Sequence, residues 1–347
     1  MLRNLIFAAA LAALPAAAQA GDLTPQAAAE VVDQVTKGLD TYVDPAVAKR
    51  AQQRLAVRLT DYKALDSRQA FAEAISKDLY DVSHDGHLKV SVQTLEAGKG
   101  ARLTDEQQAL VDKRVAYGFM SARRLPGNIG YLKLRYFEQG DEGAAMIDAV
   151  MGLLKDTDAL IIDLRENSGG GGAGDEELLG HLSRTPIPMA KVTWRNADGT
   201  REVMQRAPRK PAGGPLYPDK PVYLLTAKRT FSAAEEFVYD LKAAGRATLV
   251  GETTGGGANP ANRPVPLSYG FRIFIPNGHV EHPTTHTNWE GVGIAPDIAV
   301  PVDQALTAAY GKALAAAKPT VVTAMSERER QAAIADPKAA LLADQAL

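Results

Sequence analysis

The chain has 347 residues and no cysteine, which excludes disulfides, thiolate nucleophiles and cysteine-rich metal sites. An excess of either charge is also lacking: 39 Lys and Arg against 41 Asp and Glu give a formal net charge of −2, so nothing electrostatic favours nucleic acid as a partner. Beyond the first twenty residues no run has the length and uniform apolarity of a membrane span. No Gly-Lys-Ser/Thr ending and no Gly-x-Gly-x-x-Gly order follows a strand, which removes the two common phosphate-binding loops. No His-Glu-x-x-His pattern occurs, and no histidine pair has a carboxylate at a familiar ligand spacing. No cofactor and no metal is expected on these grounds, although His84, His87 and Asp85, or His279, His282 and His286, offer zinc-type ligand atoms.

What is present begins at the N-terminus. Met1-Leu2-Arg3-Asn4, an alanine-rich apolar run to Pro15 and small residues at Ala18-Gln19-Ala20 describe a secretory signal peptide. Cleavage is expected after Ala20, giving a periplasmic or secreted protein with no stable membrane insertion. At 46% hydrophobic residues, the rest can bury a substantial core.

The mature chain opens with helix signals. Thr24-Pro25 and Asp44-Pro45 pair a cap with a first-turn proline, and Asp66 with Gln69 resembles a capping box. Phe71, Ile75, Leu79 and Val82 then fall on one helical face. A helical bundle over residues 21–83 is expected. Strand and helix patterns alternate afterwards: strands at Leu88–Val92, Ile129–Leu134, Ala159–Leu164, Val222–Thr226, Ala247–Val250 and Phe271–Pro276, and helices around Met146–Leu154, Asp175–Leu182, Ala233–Ala244 and Val302–Ala317. This order predicts an α/β core with parallel pairing over residues 84–310, and a helical tail over 311–347. His181 lies on a helix and reads as structural.

Ser232 is the first chemical candidate. It stands between an apolar strand and an amphipathic helix, where free N–H groups and the positive end of the helix dipole converge. Such a hydroxyl either caps the helix or serves as a nucleophile beside an oxyanion site. His84 and His87 lie in a turn between the bundle and a strand, where cleft residues tend to sit. The run Gly169-Gly170-Gly171-Gly172 follows a buried strand, so its N–H groups can point into a cleft or simply form a turn. Glu290, beside Trp289 in a glycine-rich turn, could orient a histidine or a water, or be a solvated loop residue.

Four motifs in order resemble the C-terminal-processing, or tail-specific, serine peptidases: Leu164-Arg165-Glu166-Asn167-Ser168-Gly169-Gly170, Phe231 to Phe237, Gly245 to Glu252, and Glu290 to Asp297. The resemblance covers roughly Ser83 to Val302. It implies a crotonase-like ββα-spiral core with an N-terminal helical bundle domain, Ser232 as nucleophile, a peptide or unfolded-protein substrate, and oxyanion donors at Gly169 or Gly170 and at Ala233. There is no room for a full PDZ domain between Val90 and Ile129. The family's lysine base would fall at Gly257. The sequence is closest to the branch of the tricorn core and the interphotoreceptor retinoid-binding modules, in which the base is a histidine and a distant glutamate assists. In that branch the roles fall on His87 and Glu290, with Gly86 where a serine would precede the histidine. The resemblance implies a serine peptidase with a Ser-His(-Glu) site; the alternative it leaves open is a non-catalytic carrier of a lipid or retinoid-like ligand.

Overall fold

The computed structural model describes residues 23–92, 104–196, 198–261, 263–319 and 322–344. The signal segment and its cleavage point, and most of the polar stretch after Val92, lie outside the described residues. Helices α1 (Pro25–Gly38), α2 (Pro45–Lys63) and α3 (Arg68–Ser83) come first. The Thr24 hydroxyl accepts from Ala27 N, and the Asp44 carboxylate accepts from Ala46 N and Val47 N, so both proline-led starts form as their caps dictate. The cap of α3 is Ser67, one residue later than the sequence suggested: its hydroxyl accepts from Ala70 N at 3.3 Å, and the capping box at Asp66 does not form.

Next come β1 (Lys89–Val92), α4 (Asp105–Arg114), β2 (Phe119–Leu125), β3 (Ile129–Leu134), α5 (Asp141–Leu154), β4 (Ala159–Asp163) and α6 (Ala173–Leu182). They are followed by β5 (Lys191–Arg195), β6 (Arg201–Gln205), β7 (Val222–Thr226), α7 (Ala233–Ala243) and β8 (Thr248–Gly251). Strands β9 (Val265–Pro266), β10 (Phe271–Phe274), β11 (Gly278–Glu281) and β12 (Ile298–Ala299) precede α8 (Ala305–Ala316), α9 (Ala324–Ala335) and α10 (Pro337–Ala343). The result is a mixed α/β structure around a mixed central sheet.

That sheet has the order β12-β8-β7-β4-β3-β2. Its strands run parallel except β2, which pairs antiparallel with β3. Period-two alternation sends Leu160, Ile162 and Leu224 to one face, against α5, α6 and α7. Ala159, Ile161, Tyr223 and Leu225 go to the other face, which α8 covers. Both faces are buried, which explains why these strands read as continuous apolar runs. Ala333 of α9 and Leu341 of α10 are buried in the same cluster, so the C-terminal helices dock on the core.

Two smaller antiparallel sheets complete the fold, β1-β10-β9 and β11-β5-β6. The first is continuous with the helical bundle. Leu88, Val90, Phe271 and Ile273 share one apolar cluster with Phe71, Ile75 and Leu79. The turn Asp85–His87, between α3 and β1, is thereby clamped where the bundle meets the sheet.

Candidate active site

The strand β7 ends at Thr226, and seven residues later α7 begins. Between them Ser232 adopts φ 57°, ψ −130°, a conformation that a side chain with a Cβ resists. Such strain costs on the order of 1–3 kcal/mol and persists only where surroundings over-determine it. Here four contacts do so. Phe231 N donates to Asn167 O at 3.1 Å, and Ser232 O accepts from Glu235 N at 2.7 Å and from Glu236 N at 3.1 Å. Ser232 N donates to Glu235 Oε2 at 3.0 Å. Gly169 packs directly against the turn: a Cβ built there would lie 2.8 Å from Ser232 Cβ.

Glu235, which in the sequence stands only as part of the Phe231 to Phe237 motif, is the residue that holds this turn. Its carboxylate is fully buried and accepts four hydrogen bonds. Besides Ser232 N, Oε2 accepts from Gly257 N at 2.8 Å, and Oε1 accepts from the Thr254 hydroxyl at 2.5 Å and Gly256 N at 2.7 Å. One side chain thus ties the Ser232 turn to the loop 254–257. Burial raises the carboxyl above its ordinary value, while these four donors pull it down. The sequence signal was its place three residues after Ser232, the capping-box position.

His87 packs against the neighbour of Ser232, and no hydrogen bond joins its ring to the Ser232 hydroxyl among the described residues. Its ring centroid is 4.5 Å from that of Phe231, the neighbour of Ser232, and 5.5 Å from that of Phe274. A Cβ added to Gly257 would lie 2.8 Å from His87 Cε1 and 2.2 Å from Phe231 Cζ. The imidazole and the phenyl ring therefore occupy the space that any side chain at position 257 would need. Burial, with Lys89 nearby, lowers the imidazole pKa to about 4, so the ring is neutral near pH 7. Its Nδ1 is buried without a hydrogen-bond partner among the described residues, and Asp85 Oδ1 is 3.9 Å away. Asp85 itself accepts from His87 N at 2.8 Å and from the Tyr42 hydroxyl at 3.0 Å, which fixes the turn. His84, by contrast, ends α3 in the left-handed region and stacks edge-on with Tyr80.

Glu290 lies in the segment after β11 and grips the loop that follows Gly257. Its Oε2 accepts from Ala258 N and Asn259 N, both at 2.7 Å, while Oε1 is buried without a partner among the described residues. Burial first, then the charge of Asp85, raises its pKa to about 8. No hydrogen bond joins Glu290 to His87 among the described residues. The folded state therefore holds a proton on Glu290 that the unfolded chain, at an ordinary value of 4.5, has released. Its contribution to stability is complete below about pH 4.5 and is lost as pH rises through about 8. Glu290→Gln mimics the protonated form. Its melting temperature is expected to fall less than that of the wild type between pH 6 and 9, measured by calorimetry; parallel curves would remove Glu290 as the titrating group.

The glycine loop supplies donors. Gly169 N is used by Asn167 Oδ1 at 2.9 Å. Gly170 N and Ala233 N have no acceptor among the described residues. A Cβ at Gly170 would lie 2.1 Å from Phe137 O, so only glycine permits this approach. Ala233 N opens α7 at the positive end of its dipole. The late histidines fall elsewhere: His282 faces Pro188 O and Asp240, and His286 is exposed beside Glu281.

Comparison with known proteins places the fold. Residues 128–300 match peptidase family S41, a span that contains Ser232 and Glu290 and stops short of His87. The carboxy-terminal processing protease CtpB of Bacillus subtilis is 28% identical over 193 residues, covering 52% of this chain and 36% of that protein. The chain thus spans about a third of the length of that relative. Among solved structures, a candidate peptidase from Parabacteroides merdae aligns over 87% of this chain and 100% of its own, at 19% identity and a TM-score of 0.57. The tricorn protease aligns over 90% of this chain and 37% of its own, at 14% identity and a TM-score of 0.52. At these identities the structures speak for the fold.

Proposed function

The chain belongs to peptidase family S41, and from that premise we propose that it is an exported serine peptidase with Ser232 as nucleophile and His87 as general base. One observation carries this reading: the imidazole of His87 fills the space beside Phe231 that a lysine at position 257 would otherwise require. The base has changed its origin in the chain while the nucleophile has stayed in place.

In this mechanism neutral His87 accepts the Ser232 proton as the hydroxyl oxygen attacks the peptide carbonyl carbon. Gly170 N–H and Ala233 N–H stabilise the oxyanion, since both are otherwise unused. The imidazolium returns its proton to the leaving amine, and water attacks the acyl-serine by the same route. Glu290 holds the loop after Gly257 through Ala258 N and Asn259 N, and its second oxygen is the polar atom left to act on the histidine turn. Ser83, whose hydroxyl accepts from Asp85 N at 3.1 Å, supports that turn in place of a serine at position 86.

A cavity opens on the side of Glu290, and neither Ser232 nor His87 lines it. It holds about 590 Å³ and is lined by Tyr42, Asp44, Arg195, Arg201, His279 and Glu281 among others. Under the same reading, the six-stranded sheet with its covering helices is a crotonase-like core, no PDZ domain is inserted between Val90 and Ile129, and Met1–Ala20 is removed on export.

The test is the pH dependence of peptide hydrolysis. Because the base is held at about 4, activity is expected to rise with pH through that region and to be level from about pH 6 to 7. A half-maximal point near 10, the ordinary range of a lysine, would contradict His87 as the base.

A further inference from the structure

A second cluster of ligand atoms lies away from Ser232, where α5 crosses α6. His181 Nε2 is 2.8 Å from Asp148 Oδ1 and 3.8 Å from Glu177 Oε1, and one ligand atom from each residue lies within 4.8 Å of the others. Glu177 and His181 are four apart on α6 and so share a helical face. Asp148 reaches them from α5.

The placement of charge is unusual. Glu177 is only 5% exposed and His181 only 1%. Arg209 Nε meets Glu177 Oε2 at 3.3 Å, but its guanidinium also serves Asp141. Glu177 Oε1, the oxygen turned toward His181, has no hydrogen-bond partner among the described residues. A buried carboxylate oxygen left unpaired is costly. Burial, then the charge of Asp148, raises the Glu177 carboxyl above its ordinary value, while burial lowers the His181 imidazole against the pull of Asp148.

We propose that Asp148, Glu177 and His181 bind a divalent cation of the zinc class. One imidazole and two carboxylates form a familiar three-residue donor set for such an ion. Tetrahedral coordination with bonds of about 2.0–2.1 Å places ligand atoms about 3.3 Å apart, within the range this cluster spans. Asp148 stands at the solvent edge, leaving a side open for water as a fourth ligand. The cation supplies the charge that Glu177 Oε1 lacks. It also pins α5 to α6 at the end of the segment that starts at the glycine loop. His181, which the sequence alone cast as structural, becomes a ligand.

The experiment uses tag-free mature protein stripped with a chelator and then titrated with zinc chloride alone. Bound metal is counted by elemental analysis after gel filtration, and unfolding is followed by calorimetry. About one equivalent of zinc is expected per chain, with a melting temperature raised by about 5 °C at a hundredfold excess over Kd. Asp148→Ala changes an exposed residue and leaves the fold intact; it should weaken zinc binding at least tenfold. Glu177→Gln should abolish the thermal shift. Failure of the stripped wild type to take up stoichiometric zinc on titration overturns the proposal. So does binding that survives Asp148→Ala unchanged and disappears with His286→Ala, which would assign the metal to the exposed His286 and Glu281 instead.

Discussion

Ser232→Ala is expected to lower peptide hydrolysis by at least about 10⁴-fold while leaving a folded protein. Under the proposed mechanism, removing the hydroxyl deletes the attacking atom. It does not touch Ser232 N, which donates to Glu235, or Ser232 O, which accepts from Glu235 N and Glu236 N. The turn therefore keeps its restraints, and alanine meets the same φ of 57° that serine does. Melting temperature should move little, because no buried group loses a partner. Hydrolysis rates and a thermal scan on the same preparation check both halves. Hydrolysis retained within tenfold would remove Ser232 from the mechanism.

Glu235→Ala should act the other way, through structure first. Four donors lose their acceptor: Ser232 N, Gly256 N, Gly257 N and the Thr254 hydroxyl. A buried donor left unpaired costs about 1–3 kcal/mol, so even with partial relaxation a loss of about 3–5 kcal/mol is expected. For a chain of this size that is a fall in melting temperature of about 5–10 °C. Activity should fall as well, since the strained Ser232 conformation and the loop carrying Gly257 are held by the same carboxylate. Glu235→Gln keeps the volume and part of the acceptor capacity and should be milder on both readouts. A variant Glu235→Ala as stable as the wild type would show that the loop is held by other means.

Much of this fold is written in local pattern. Ala159–Ile162 and Val222–Leu225 are uninterrupted apolar runs because parallel strands covered on both faces have no polar side to show, and in Ile129–Leu134 only Lys133 breaks the pattern. Thr24-Pro25 and Asp44-Pro45 announce their helices because cap and proline act within one turn. At α3 two adjacent residues could both cap, and geometry chose Ser67 over Asp66. Strand β6 gave no signal, since every residue of Arg201–Gln205 is exposed and no alternation marks a buried side. The pairing of β1 with β10 joins Val90 to Ile273, a contact no local pattern encodes.

The site divides along the same line. The position of Ser232 was legible because a strand-to-helix junction is a local event. The role of Glu235 was half legible, as a capping position whose wider reach depends on where residues 254–257 fold. The relation of His87 to Gly257 was legible only as two separate facts, a histidine in a turn and a glycine where a lysine was expected. The coordinates join them, because a missing side chain at 257 and an imidazole from the first third of the chain fill one space.

The most direct test is covalent labelling of Ser232 by a fluorophosphonate in the wild type and in His87→Ala, followed by peptide mapping across pH 4 to 9. The account predicts a label on Ser232 in the wild type, and a labelling rate at least about a hundredfold lower in the variant at pH 7. A label placed on Ser232 at the same rate in both proteins would contradict it, because some other base would then be activating the hydroxyl.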